Sequence, residues 1–279
     1  MPIVELRRIR RVKPESAYLR NQYARDVTSQ FGEDGIINEI LNRIGRRNRW
    51  CVEFGAWDGK YLSNTWTLIN NEHWSGVLIE GAQDRCTALH ASYQSRPNEV
   101  FVRQGYVGWE SGNDLDGFLG GTPIAQDFDV LSIDIDGNDW HVWHALKNYR
   151  PRLVVVEFNP SASNELYFVQ DANGALNQGA SLRAMVDLGK SKGYELVATT
   201  YTNAFFVLAE DFDKLGIADN SIDAMHEPHI EIQICQGYDG TIFAAGHLLL
   251  NWHGIPIAQE DLQVLPAALR KYPDPGQQS

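Results

Sequence analysis

The segment VEFGAWDG, Val52 to Gly59, decides the fold. A short apolar run ends on an acid, Glu53, and Gly55 and Gly59 then bracket a turn before the helix-like stretch that follows. Glycines at such a point let the backbone approach another group closely, as at the carboxyl end of a parallel strand. The same rhythm continues on the C-terminal side. Apolar runs at 50–54, 76–80, 99–104, 129–135, 152–158, 194–200 and 204–209 read as seven strands. Helices are expected between them near 63–72, 83–93, 114–119, 138–148 and 180–192, the last stopped by Gly193. Only Tyr201, Thr202 and Asn203 separate the last two runs, too few residues for a parallel crossover, so these strands should pair antiparallel.

This pattern predicts an α/β fold: a Rossmann-like, seven-stranded, mostly parallel sheet with an antiparallel edge hairpin and helices on both faces. Residues 1–49 read as a helical lead-in, with Ile36, Ile37, Ile40, Leu41 and Ile44 at helical spacing. Residues 50–209 form the expected core. The rhythm is lost after Glu210, and 210–279 reads as a C-terminal cap of turns with a β pair near 230–243, a short C-terminal helix and a disordered tail, PDPGQQS.

Composition narrows the function classes. With 279 residues, 43% hydrophobic and 22% charged, the chain can bury a large core, which excludes disordered and fibrous classes. A net charge of -12 argues against a nucleic-acid surface, which needs clustered cations, and favours a small-molecule or glycan acceptor as partner. The one basic run, Arg7, Arg8, Arg10, Arg11 and Lys13, reads as a solvated end or an anion contact. Cys51, Cys86 and Cys235 lack metal-type spacing and read as reduced thiols. No window approaches 18 apolar residues, so no membrane span and a cytoplasmic location are expected, with a homodimer as a compatible assembly.

The ligand can be argued from charge. Glu80 ends the second strand 21 positions after Gly59, where a carboxylate can accept the ribose hydroxyls of an adenosine. A diphosphate would be repelled by Glu53 and Asp58, whereas a cationic sulfonium tolerates them. S-adenosylmethionine therefore fits better than a dinucleotide. Farther along, IDIDGND places Asp134, Asp136 and Asp139 at the end of the fourth strand, and VVVEFN places Glu157 and Asn159 at the end of the fifth. Neighbouring parallel strands bring these tips into one crevice. Asp134, Asp136, Glu157 and Asn159 would suit Mg²⁺ or another divalent cation holding a substrate hydroxyl. The competing reading makes Asp136, Gly137 and Asn138 an Asx turn that starts the next helix, with Asp139 at its positive end.

Asp136, Glu157 or His141 would take the substrate proton; His141 and His144 share a helix face. The HEPH stretch, His226 to His229, and His247 and His253 lack a zinc spacing and read as a substrate-facing loop. Neither a GxSxG elbow nor a phosphate-binding GxxxxGK motif occurs.

SQFGEDGIINEIL (29–41), VEFGAWDG, YLSNTWTL (61–68), VLIEG (77–81), LSIDIDGNDWHVW (131–143) and GYELVATTYTNAFFV (193–207) resemble class I S-adenosylmethionine methyltransferases, most nearly the FkbM type. The resemblance spans roughly 28–209. It implies that Glu53 and Gly55 lie near the methionine part, that Glu80 receives the ribose, and that Gln104 and Gly105 border the adenine. It also implies that Asp134 is the acid ending the fourth strand, and that Asn64 caps the first helix or reaches the methionine carboxylate. QGYVGWES (104–111) departs from the pattern by lacking its commoner acid. The implied activity is O-methylation of a sugar or small-molecule hydroxyl. The alternatives are intramolecular displacement releasing methylthioadenosine, and a noncatalytic binding protein on this fold.

Overall fold

The computed structural model describes residues 18–273; the basic run at 7–13 and the tail beyond Pro273 lie outside the described residues. The described residues divide into two compact units, one ending at Glu227 and one beginning at Pro228.

In the larger unit the elements follow in order: α1 (Tyr18–Tyr23), α2 (Glu33–Ile44), β1 (Trp50–Phe54), α3 (Trp66–Asn71), β2 (Ser75–Glu80), α4 (Gln83–Tyr93), β3 (Val100–Gln104), α5 (Leu115–Leu119) and β4 (Val130–Ile133). They continue with α6 (Asp139–Ala145), β5 (Leu153–Glu157), α7 (Leu182–Ser191), β6 (Tyr194–Thr199), β7 (Asn203–Leu208), α8 (Ala209–Phe212) and α9 (Ile222–Met225). The seven strands form one sheet in the order β3-β2-β1-β4-β5-β7-β6. Within it β7 alone runs antiparallel, between β5 and the edge strand β6. The expected seven-stranded α/β fold with its antiparallel hairpin is therefore present.

Continuous apolar runs mark strands covered on both faces, and β4, β5 and β7 accordingly bury Val130 to Ile133, Leu153 to Val156 and Asn203 to Leu208. Trp74, Trp143, Phe128 and Phe206 fill the layers between sheet and helices. At the amino-terminal edge of the sheet a polar knot is locked in. Asp129 accepts from the backbone N–H groups of Arg47, Asn48 and Arg49, and the buried Arg152 bridges Asp129 (3.0 Å) to Asp211 (2.9 Å).

Strand order reverses between β1 and β4, because the chain winds outward through β2 and β3 and then returns. In open α/β sheets such a reversal is where ligands bind, outside the carboxyl ends of the strands.

In the smaller unit β8 (Ile232–Gln236) pairs antiparallel with β9 (Ile242–Gly246), and β10 (Leu249–Leu250) with β11 (Ile255–Pro256). The expected C-terminal helix is replaced by two 3-10 turns, Gln259–Leu262 and Ala267–Leu269. Pro266, directly before the second turn, has no N–H to continue a helix across the pair. All three cysteines are free. Among the described residues no helix is long and apolar enough to cross a membrane.

Candidate active site

Register gathers the candidates. Glu80 pairs with Gln104, and Glu157 with Asn203. Leu78, Glu53, Ser132 and Val155 stand in one row across β2, β1, β4 and β5. Two residues onward, where side chains return to the same face, come Glu80, Gly55, Asp134 and Glu157. Gln104, Glu80, Gly55, Asp134, Glu157 and Asn203 thus form a single row over the carboxyl edge, which is why residues scattered over a hundred positions can act together.

The turn after β1 is the most contorted part of this edge. Gly55 (φ 70°), Trp57 (φ 50°), Gly59 (φ 79°) and Leu62 (φ 53°) all lie in the left-handed region. A Cβ on Gly55 would collide with the carbonyl oxygen of Asp134, so only glycine lets the β1 loop sit against the β4 tip. Asp58 is spent inside the turn, accepting from the N–H groups of Tyr61 and Lys60; these bonds hold its carboxyl below the ordinary value.

Glu53 is buried beneath this turn. Its carboxylate accepts from Ser63 Oγ (2.6 Å), Thr65 Oγ1 (2.7 Å) and the Asn64 N–H (2.7 Å). Burial pushes its pKa up while these bonds pull it back, and the net direction is upward. Glu53 therefore shapes the loop. Asn64 does not cap α3: its side chain donates to Ser132 Oγ (3.1 Å), and Ser63 Oγ accepts the N–H groups of Thr65 and Trp66 instead. A serine one position earlier outcompetes the amide because its short side chain reaches the first turn.

Glu80 is held differently. One carboxylate oxygen accepts the Trp57 N–H and the other the Ala82 N–H, both at 2.8 Å, which leaves a lone pair on each oxygen unspent and the group fixed in orientation. Gln104 is exposed, and next to it Gly105 packs on Phe118.

Oxygen ligands of Asp134, Asp136 and Glu157 all lie within 4.8 Å of one another, the one such grouping of His, Cys, Asp and Glu among the described residues. Desolvation around its carboxyl, then repulsion from Asp139 and Asp136, drives Asp134 well above its ordinary value, although the residue as a whole is exposed. Burial and then Asp134 do the same to Glu157. Asp139 plays the turn role: it accepts from the N–H groups of Ile135 and Gly137, both at 2.9 Å, and burial still raises its pKa to about 6. The turn role in IDIDGND therefore falls to Asp139, while the carboxylates of Asp134 and Asp136 lie beside that of Glu157. Asn159 is occupied elsewhere, with Oδ1 accepting from the Ser161 N–H and hydroxyl and Nδ2 donating to the Gln178 carbonyl.

His141 lies 2.8 Å through Nε2 from the Gln170 carbonyl, an acceptor only, so this nitrogen carries the proton. Its ring also contacts Trp109 and Trp140. His226 is buried in the larger unit, edge-on to Phe158, while His229 falls in the smaller unit.

Sequence reasoning missed three groups. Gln170 is the hub of the loop after β5, its Oε1 accepting the N–H groups of Gln178 and Gly179 and its Nε2 donating to the Leu176 carbonyl. Glu33 is fully buried and accepts from the N–H groups of Gln30 and Phe31, from Thr200 Oγ1 and from Asn203 Nδ2, tying the lead-in to the β6–β7 turn. Asn203 itself keeps Oδ1 buried without a hydrogen-bond partner, directly across from Glu157. The one available signal was the acid of SQFGEDG, which no local pattern connects to a turn 167 residues away.

No protein-family profile matches the chain, and no curated protein matches it. Solved structures similar in part include the citrinin polyketide synthase CMeT domain, at TM-score 0.42 and 11% identity over 63% of this chain and 51% of that one. The N-terminal domain of EvdMO1, solved with SAH and D-fucose, gives 0.40 and 11% over 63% and 80%. M. capricolum TrmK in complex with S-adenosyl-homocysteine gives 0.37 and 10% over 61% and 65%. The chain thus spans about half the length of the first of these structures.

Proposed function

We propose that this protein is an S-adenosylmethionine-dependent methyltransferase that methylates a hydroxyl of a sugar or small molecule. The observation that carries the reading is the Glu80 carboxylate, oriented by two backbone N–H groups beside a glycine turn at the point where strand order reverses. A diol is the natural partner of a carboxylate with one free lone pair per oxygen. The residues fit the cofactor. Glu80 would hold the ribose, Gln104 and Gly105 would border the adenine, and the Gly55–Gly59 turn would bring backbone close to the methionine part. The carboxylates of Asp134 and Glu157 in the same row favour a positively charged sulfur and disfavour a diphosphate.

When bound, the cofactor supplies an electrophilic methyl group. The chain's part is to align the acceptor oxygen and to take its proton. Glu157 suits that second task, because burial and its acidic neighbours raise its basicity toward operating pH.

A divalent ion is a second reading, favoured by the convergence of Asp134, Asp136 and Glu157 and by the partnerless Asn203 Oδ1 across from Glu157. These oxygens would hold Mg²⁺, which lowers the pKa of a bound hydroxyl.

The test is calorimetry with S-adenosylmethionine followed by product analysis with a panel of sugar and phenolic hydroxyls. S-adenosylhomocysteine formed only with acceptor supports the proposal; methylthioadenosine as product, or no binding, refutes it.

A further inference from the structure

We propose that Arg85 is a positioning residue for the adenosyl ribose, acting through Trp57 on Glu80; this rests on the methyltransferase reading. Trp57 is a bulky residue in the left-handed region (φ 50°) and 41% exposed, a conformation and a setting that both cost free energy unless something holds them. What holds the indole is Arg85, whose guanidinium carbon lies 3.5 Å from the ring centroid, with the Tyr61 ring 5.3 Å away. Arg85 itself is oddly placed. It occupies the first turn of α4, where the helix dipole disfavours a cation, and among the described residues no carboxylate pairs with it. The stack on Trp57 gives that placement a purpose.

The contacts close a circuit around Glu80. One carboxylate oxygen accepts the N–H of Ala82, the residue directly before α4; the helix carries Arg85; Arg85 covers the Trp57 ring; and the Trp57 N–H returns to the other oxygen of Glu80. Removing the guanidinium frees the indole, and with it the strained peptide whose N–H fixes the carboxylate. The ribose diol then meets an acid that must be reoriented at the moment of binding, and the affinity carried by the diol falls.

A ligand cycle separates this role from general loosening of the loop. S-adenosylhomocysteine and its 2′,3′-dideoxy form are titrated by calorimetry into the full-length wild type, Arg85→Ala, Arg85→Lys and Trp57→Phe, with melting temperatures recorded as a folding check. Arg85→Ala is expected to weaken S-adenosylhomocysteine about 3- to 30-fold, the worth of one stacked cation, and to leave the dideoxy form unchanged. Arg85→Lys should fall between, since an ammonium lacks the planar face, and Trp57→Phe should stay within about threefold of wild type. Equal weakening of both ligands by Arg85→Ala, or of neither, overturns the proposal while leaving the methyltransferase reading intact. Failure of the wild type to bind S-adenosylhomocysteine overturns both.

Discussion

Replacing Glu53 with alanine separates a residue that builds the site from one that touches the ligand. In the wild type the carboxylate accepts from two hydroxyls and one backbone N–H, all within 2.7 Å, in a position only 6% exposed. Glu53→Ala leaves the Asn64 N–H buried without an acceptor, which costs about 1–3 kcal/mol, and removes two charge-assisted bonds. The hydroxyls of Ser63 and Thr65 can turn to other partners, and the relief of a buried charge offsets part of the rest. The sum is a loss of about 2–5 kcal/mol. For a domain of this size that is a fall in melting temperature of roughly 5–20 °C. Glu53→Gln keeps one oxygen for the Asn64 N–H and should lose about half as much. Scanning calorimetry on both variants without ligand is the assay. If Glu53→Ala melts within 1 °C of wild type yet binds S-adenosylmethionine poorly, the carboxylate serves the ligand and not the loop, and the argument fails.

Three further outcomes follow from the geometry. Gly55→Ala places a Cβ against the Asp134 carbonyl at a left-handed φ, so cofactor binding should fall at least tenfold; retained affinity in calorimetry would contradict the close approach. Arg152→Met strands the buried Asp129 and Asp211 and should cost about 3–5 kcal/mol in urea unfolding, with binding of the folded fraction intact; a loss under 1 kcal/mol would show the knot to be dispensable. The third outcome concerns pH. Glu157 binds its proton more tightly in the folded than in the unfolded chain, so its contribution is full below its ordinary value and is lost as pH rises through the raised one. Melting temperature should therefore fall as pH rises above the ordinary carboxyl range, and fall less in Glu157→Gln; identical slopes would remove the acidic coupling.

The sheet was legible because each strand is a short apolar run ended by a polar or glycine residue: WCVEF (50–54) coincides with β1, and the run at 194–200 overshoots β6 by one residue. Gln104, Glu80, Gly55, Asp134 and Glu157 in the site row followed from strand ends, whereas Asn203 did not. What each acid does was not legible, since Asp134 and Asp139 sit in one motif yet only the second is claimed by backbone N–H groups. That choice depends on how the turn bends at Asp136 (φ 57°), a torsion the residue type does not announce. The bonds of Glu33 to Thr200 and of Gln170 within its own loop were invisible for another reason: they join segments whose approach is set by the finished fold. Beyond Glu227 the chain buries few apolar side chains, Ile230 and Ala244 among them, so the β pair near 230–243 could be read but not the elements after it.

The central claim is that the carboxyl-edge row receives an adenosyl sulfonium with its ribose on Glu80. A crystal structure of the S-adenosylhomocysteine complex tests it most directly. The account predicts both ribose hydroxyls within about 3 Å of the Glu80 carboxylate, with the sulfur lying toward Asp134 and Glu157. Electron density for the ligand anywhere else, or a Glu80 carboxylate turned away from the ribose, would contradict it.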